Sequence, residues 1–223
     1  MSGALVLRRV FTVMWVLSAA QGAVTAGAAL AVGAAASVGT APAHAAPSAT
    51  GAAPALKAGV FDPPAPAPAF VLRGSDGSND VGPARFKGRV VLMSFGFTHC
   101  PAVCPTTLAT LAHARKELGG AAADVQVLFV TVDPERDDAA RLKAYVAAFD
   151  SSFVGATGRP DALAAVRKQY GVTANKVAMG ETYAVDHTSS VYVIDRQGRL
   201  RAMMPYGRSA KDYVHDLRVL LAQ

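Results

Sequence analysis

The chain has 223 residues, of which 52% are hydrophobic and 17% charged, and 22 basic against 16 acidic residues give a formal net charge of +6. The basic residues are interspersed, and only 7% of the chain is aromatic. That excludes the basic, aromatic-interleaved surface that nucleic-acid binding uses. Two cysteines are too few for an iron–sulfur cluster, which takes four.

The chain opens MSGALVLRRVFTVMWVL and carries no charge from Val10 to Val38. Arg8 and Arg9 form a positive leader, and Ala43-His44-Ala45 fits a small-x-small cleavage site. The run is longer than the roughly 20 residues of a membrane span, but it is rich in Ala and Gly. Residues 1–45 are therefore read as a cleaved export signal or an uncleaved N-terminal membrane anchor, and both place the remainder outside the cytoplasm. Residues 46–68 are dominated by Ala and Pro, ending PPAPAPA, and are expected to form an extended spacer. Residues 69–223 are long enough for one domain with its own core.

Within that domain Arg89–Phe95 is a continuous apolar run, as expected of a strand buried on both faces. Thr106–Leu118 reads as a helix stopped by Gly119-Gly120, and Val125–Val132 as a second buried strand. Asp138–Phe149 and Asp161–Tyr170 read as helices. Val191–Asp195 and Arg199–Met203 read as a hairpin about Arg196-Gln197-Gly198. Ser209 is placed to cap a last helix whose apolar face is Tyr213, Val214, Leu217 and Leu220. Strand, helix, strand, helix, hairpin, helix is an α/β order, and it fits a thioredoxin-like fold: one domain with a central mixed sheet flanked by helices.

Cys100 and Cys104 lie in Phe95-Gly-Phe-Thr-His-Cys-Pro-Ala-Val-Cys-Pro105, just past the first strand and where a helix begins. Ligands of open α/β sheets gather beyond the carboxyl ends of strands, and a helix start lowers a thiol pKa through its free N–H groups. At helical i, i+4 spacing the two thiols fall within disulfide range. A purely structural bridge across so short a loop adds little stability, so redox chemistry and metal binding remain as readings. A third ligand decides between them. His44 lies in the export segment. His99 adjoins Cys100 and is expected to diverge from it, while His113 and His215 read as surface residues on helices. His187, in a loop just before the strand at Val191, would face the cysteines in a thioredoxin-like sheet. Asp133 to Asp137 lie past the second strand on the same edge, as loop and cap residues or as support for the site or a docking surface. Asp186 is placed to orient His187. Met179, Met203 and Met204 are read as packing residues.

Three stretches, Phe97-Thr-His-Cys-Pro-Ala-Val-Cys-Pro105, Val130-Thr-Val-Asp-Pro-Glu-Arg-Asp137 and Val185-Asp-His-Thr188 with Tyr192-Val-Ile-Asp195, resemble in this order the Sco/SenC family of copper chaperones of cytochrome c oxidase assembly. The resemblance covers essentially all of Phe70–Leu221. It departs from the family at Ala102, where an acidic residue is common, and at Asp138, where threonine is frequent. It implies one copper per chain held as Cu(I) or Cu(II) by Cys100, Cys104 and His187, and a Cys100–Cys104 disulfide in the oxidised protein. It implies as partners the oxidase subunit carrying the CuA site, other periplasmic copper carriers or thiol reductants, and the membrane through the N-terminus. The expected location is the periplasmic side of a bacterial inner membrane, with no partnership with nucleic acid and no enzymatic turnover. The competing reading is a thiol–disulfide oxidoreductase that keeps the oxidase copper-site cysteines reduced. The Cys-x-x-x-Cys spacing and the histidine, where thioredoxins carry a proline before the facing strand, favour copper, since two soft sulfurs and an imidazole suit it.

Overall fold

The computed structural model describes residues 55–223; the export segment 1–45 and the first part of the spacer lie outside the described residues. Among the described residues, nine strands and four α-helices run in the order β1 (Gly59–Pro66), β2 (Arg73–Gly74), β3 (Val90–Gly96), α1 (Val103–Leu118), β4 (Val125–Thr131), α2 (Ala139–Ala147), β5 (Val154–Thr157), α3 (Pro160–Gln169), β6 (Ala174–Met179), β7 (Thr182–His187), β8 (Val191–Ile194), β9 (Arg199–Met204) and α4 (Ala210–Leu221). Seven strands form one sheet in the order β1-β9-β8-β3-β4-β5-β2, and β6 and β7 form a separate two-stranded sheet. β3, β4 and β5 are parallel, and β8 runs antiparallel to β3. The fold is a thioredoxin-like α/β domain with a mixed sheet flanked by helices.

The centre of the sheet follows from its sequence. Every residue of β3 and β4 is buried, because β-branched and large apolar residues fill both faces of these strands. α1 turns Cys104, Leu108, Leu111 and Arg115 inward at near-heptad spacing. This helix starts three residues earlier than its apolar pattern indicated, which brings Cys104 into its first turn. On α4, Ser209 and Asp212 complete a capping box. The expected Tyr213, Val214, Leu217 and Leu220 are buried.

The spacer expected to run to Pro68 is partly a strand. β1 pairs antiparallel with β9, with a register shift between Val60 and Ala65. Its prolines cannot donate to a ladder, so it pairs on one side only, as an edge strand. The backbone N–H groups of Lys57 and Ala58 donate to the buried Asp216 carboxylate on α4 at 2.8 and 2.9 Å. The Tyr170 hydroxyl donates to the Pro68 carbonyl at 2.8 Å. The folded unit thus begins before residue 69. Four further strands escaped the sequence reading. β2 is only two residues long, β5 is a four-residue segment interrupted by Gly155, and the β6–β7 hairpin is largely exposed.

Candidate metal centre

β3 ends at Gly96 and the chain then loops through Phe97–Ala102 into α1. Cys100 therefore sits before the helix and Cys104 in its first turn, not one above the other on a helical face. The Cys104 backbone N–H donates to the Cys100 sulfur at 3.4 Å, so the thiol takes up one of the N–H groups a helix start leaves unpaired. Gly96 is what lets the strand end pass so close. A Cβ there would stand 2.7 Å from the Cys104 sulfur and 2.6 Å from the Phe129 ring. Both cysteines are free thiols in this structure.

His187 is not in a loop. It is the last residue of β7, and the hairpin carries its imidazole over the thiols. The ligand atoms of Cys100, Cys104 and His187 all lie within 4.8 Å of one another, with His187 Nε2 3.5 Å from the Cys104 sulfur. His187 Nδ1 lies 2.9 Å from the Thr188 carbonyl. A carbonyl only accepts, so Nδ1 carries the proton and Nε2 turns its lone pair to the sulfurs. That assignment could not be read from the sequence. The orienting bond comes from Thr188 rather than from Asp186, which is exposed, because successive strand residues point to opposite faces. The ring also packs edge-on against Phe97, with centroids 5.7 Å apart.

The acidic segment after β4 braces the cysteine loop. Asp137 is fully buried, yet its carboxylate is satisfied. It accepts from the Thr98 N–H at 3.0 Å, the Thr98 hydroxyl at 2.6 Å and the Thr131 hydroxyl at 2.7 Å. Three donors offset the cost of burying that charge, and they tie the residues just before Cys100 to the end of β4. Asp133, also buried, pairs with Arg136 at 2.5 Å and accepts from the Tyr183 hydroxyl at 2.8 Å. The cap of α2 is Asp138, just past the Asp133–Asp137 stretch expected to supply it, and its side chain accepts from the Arg141 N–H.

Burial pushes the Cys104 thiol pKa well up, and the nearby Cys100 and Asp137 push it the same way, against a backbone hydrogen bond at Phe97. Dehydration thus outweighs the helix start that was expected to favour thiolate at this position. Cys104 rests as a neutral thiol whose proton must leave when the sulfur ligates a metal.

The other candidate histidines stay apart. His99 turns to Arg141, whose Nη2 donates to Nε2 at 3.2 Å. His113 faces Glu117 at 3.3 Å, and His215 Nδ1 lies 2.9 Å from Asp216. Met204 is buried in the core and Met179 is exposed on the hairpin. A groove of about 250 Å³ is lined by Cys100 and His187 together with Phe97, Pro101, Val103 and Ala184, while Cys104 is buried. Two residues at the site had no sequence signal of their own: Thr188, which acts through its backbone, and Tyr183, whose strand is exposed.

The fold and cluster define a class: a thioredoxin-like domain with two thiols and one imidazole converging beyond the carboxyl end of its central strand. The sequence model described as SCO1/SenC matches residues 62–222. The mouse mitochondrial protein SCO2 homolog is 38% identical over 140 residues, covering 60% of this chain and 54% of that protein. An SCO2-like protein of Rickettsia conorii is 32% identical over 137 residues, covering 60% and 67%. The matched region thus spans only about half the length of the mouse protein. Among solved structures, Bradyrhizobium japonicum ScoI with copper bound is 36% identical with a TM-score of 0.64, covering 70% of this chain and 99% of that one. Apo Sco1 from Thermus thermophilus is 37% identical with a TM-score of 0.68, covering 76% and 99%. The chain belongs to the SCO1/SenC family.

Proposed function

We propose that this chain is an exported copper-binding metallochaperone that delivers copper to the CuA centre of cytochrome c oxidase during its assembly. The observation that carries the reading is the convergence of Cys100, Cys104 and His187 within 4.8 Å. Two thiolates with one imidazole form a soft set that suits Cu(I), and an added oxygen ligand would complete a Cu(II) site. A structural zinc site normally closes four protein ligands, and only three converge among the described residues. Copper bound in the related Bradyrhizobium japonicum ScoI, 36% identical, supports the same metal here. The oxidase target follows from the family resemblance. The positive leader and charge-free run at the N-terminus support a position on the periplasmic side of the membrane, tethered or released after cleavage.

In this reading the protein's own groups do three things. Cys100 and Cys104 exchange protons for the metal, the Thr188 carbonyl holds the imidazole in its Nε2-ligating tautomer, and Asp137 fixes the thiol loop. The open groove leaves Cys100 and His187 accessible to an acceptor protein. A role as a thiol–disulfide oxidoreductase on the oxidase cysteines is the second reading, favoured by two free, adjacent thiols. The two roles would be switched by one bond, since a Cys100–Cys104 disulfide removes both sulfur ligands. The deciding measurement is copper content of the full chain after desalting, in both redox states. The reduced protein should retain one copper per chain and the oxidised protein essentially none. Equal copper in both states would remove the cysteines from the site.

A further inference from the structure

The hairpin that carries His187 pairs with no strand of the main sheet, yet its imidazole stands 3.5 Å from the Cys104 sulfur. Something must hold the hairpin in place, and the contacts converge on one side chain. The Arg136 guanidinium lies over the Tyr183 ring of β7 at 3.8 Å and over the Phe97 ring of the cysteine loop at 5.8 Å. Its Nη1 donates to the Tyr183 carbonyl at 3.1 Å, and its Nε pairs with Asp133 at 2.5 Å. The Tyr183 hydroxyl donates to the same Asp133 at 2.8 Å. Lys176 of β6 adds an ion pair with Glu135 at 2.6 Å and sits 4.5 Å from the Tyr183 ring. Arg136 Nη2 is buried with no hydrogen-bond partner among the described residues. A donor left dry in this way costs free energy, so the guanidinium is held there by stacking and by Asp133 rather than by full satisfaction of its N–H groups.

We propose that Arg136 is the positioning residue of the metal centre: its guanidinium, between Phe97 on the thiol loop and Tyr183 on the histidine hairpin, sets the separation of the imidazole from the two sulfurs. The inference rests on the copper reading of the cluster. The chemistry selects arginine specifically. A planar cation can stack on two aromatic rings while donating sideways to a carboxylate and a carbonyl, whereas an ammonium of equal charge can satisfy Asp133 but cannot stack or fork. Phe97 in turn packs edge-on against His187. Displacing Arg136 therefore releases the imidazole on two sides, through β7 and through Phe97.

The test compares Arg136→Lys with the unaltered full chain, using amide hydrogen exchange without metal and Cu(II) titration with electron paramagnetic resonance. The expected result is faster exchange along β6 and β7, with the amides of β3, β4 and β8 unchanged. Copper affinity should fall roughly tenfold, the scale of the charged hydrogen bond to the Tyr183 carbonyl that lysine cannot make alongside Asp133, and the nitrogen hyperfine signal should weaken while the sulfur charge-transfer absorption persists. In a His187→Ala background the same replacement should change copper affinity little, because no imidazole is left to position. Two outcomes overturn the proposal: an unchanged nitrogen signal with unchanged hairpin exchange, or an equal affinity loss with and without His187. If the unaltered protein binds no copper, the function reading fails, and the exchange data still decide whether Arg136 holds the hairpin.

Discussion

The thiols and the imidazole stand on regions of opposite character. The cysteines follow β3, whose residues are all buried and which lies between β4 and β8 in the middle of the main sheet. The imidazole ends a two-stranded hairpin in which only Val185 is buried. Elements with few buried contacts open at low free energy, whereas central strands open only with the whole domain. Half of the site is therefore fixed by the core and the other half is held by a few polar and aromatic contacts. In the chaperone reading proposed above, this division would keep the sulfurs in constant register while the imidazole comes and goes.

The sharpest way to break the comparison is to remove the hairpin's ligand alone. His187→Ala should leave the midpoint of urea unfolding nearly unchanged, because a half-buried strand-end residue contributes little core packing. Copper affinity should drop by at least the 10–100-fold that losing an outer partner of a ligand costs. Cu(II) should suffer more than Cu(I), since imidazole matters more to it. Exchange of the Cys100–Cys104 disulfide should continue. Unchanged copper binding with collapsed thiol exchange would replace the chaperone reading by the oxidoreductase one.

The same contrast separates what the sequence shows from what it hides. β3 and β4 are legible because a strand buried on both faces must be a continuous apolar run. The Ser209 cap and the apolar stripe of α4 are legible because helix starts and faces have fixed chemistry. The hairpin is hidden. Its exposed Lys176, Val177, Ala178 and Met179 satisfy no burial pattern, and Tyr183 gains its meaning only from Arg136, 47 positions away. β1 is hidden for another reason, because its prolines read as spacer whether or not a strand lies beside them. The candidate ligands follow from residue type and family resemblance, whereas the tautomer of His187 and the dryness of Cys104 need the fold.

The core half of the site is tested by Gly96→Ala. The added Cβ would fall 2.7 Å from the Cys104 sulfur and 2.6 Å from Phe129, and both side chains are buried with nowhere to retreat. Overpacking of this kind costs about 2 kcal/mol, so the urea midpoint should fall with little change in m-value. Copper affinity should fall with it as the sulfur shifts. Amide exchange in β6 and β7 should change no more than elsewhere. A variant as stable as the parent would mean that the floor beneath Cys104 is looser than its packing shows.

The smallest effect concerns acidity and belongs to the core alone. An unfolded cysteine loses its proton near 9.0, and burial pushes Cys104 well above that. Between those values the native protein keeps a proton that the unfolded chain has released. Stability of the reduced, metal-free protein is then complete below about pH 9 and declines as pH rises, by at most about 1.4 kcal/mol per unit for one such group. Tyr145, Tyr170 and Tyr213 are pushed up from 10.0, chiefly by burial, so their share begins about one unit higher and the interval from 9 to 10 reports on the thiol. Urea unfolding measured across that interval should slope downward for the parent and for His187→Ala, and flatten in Cys104→Ser. A parent that is flat there would show that water reaches the Cys104 sulfur. A slope that survives Cys104→Ser would assign the titration to another group, and the description of the thiols as the dry half of the site would fail with it.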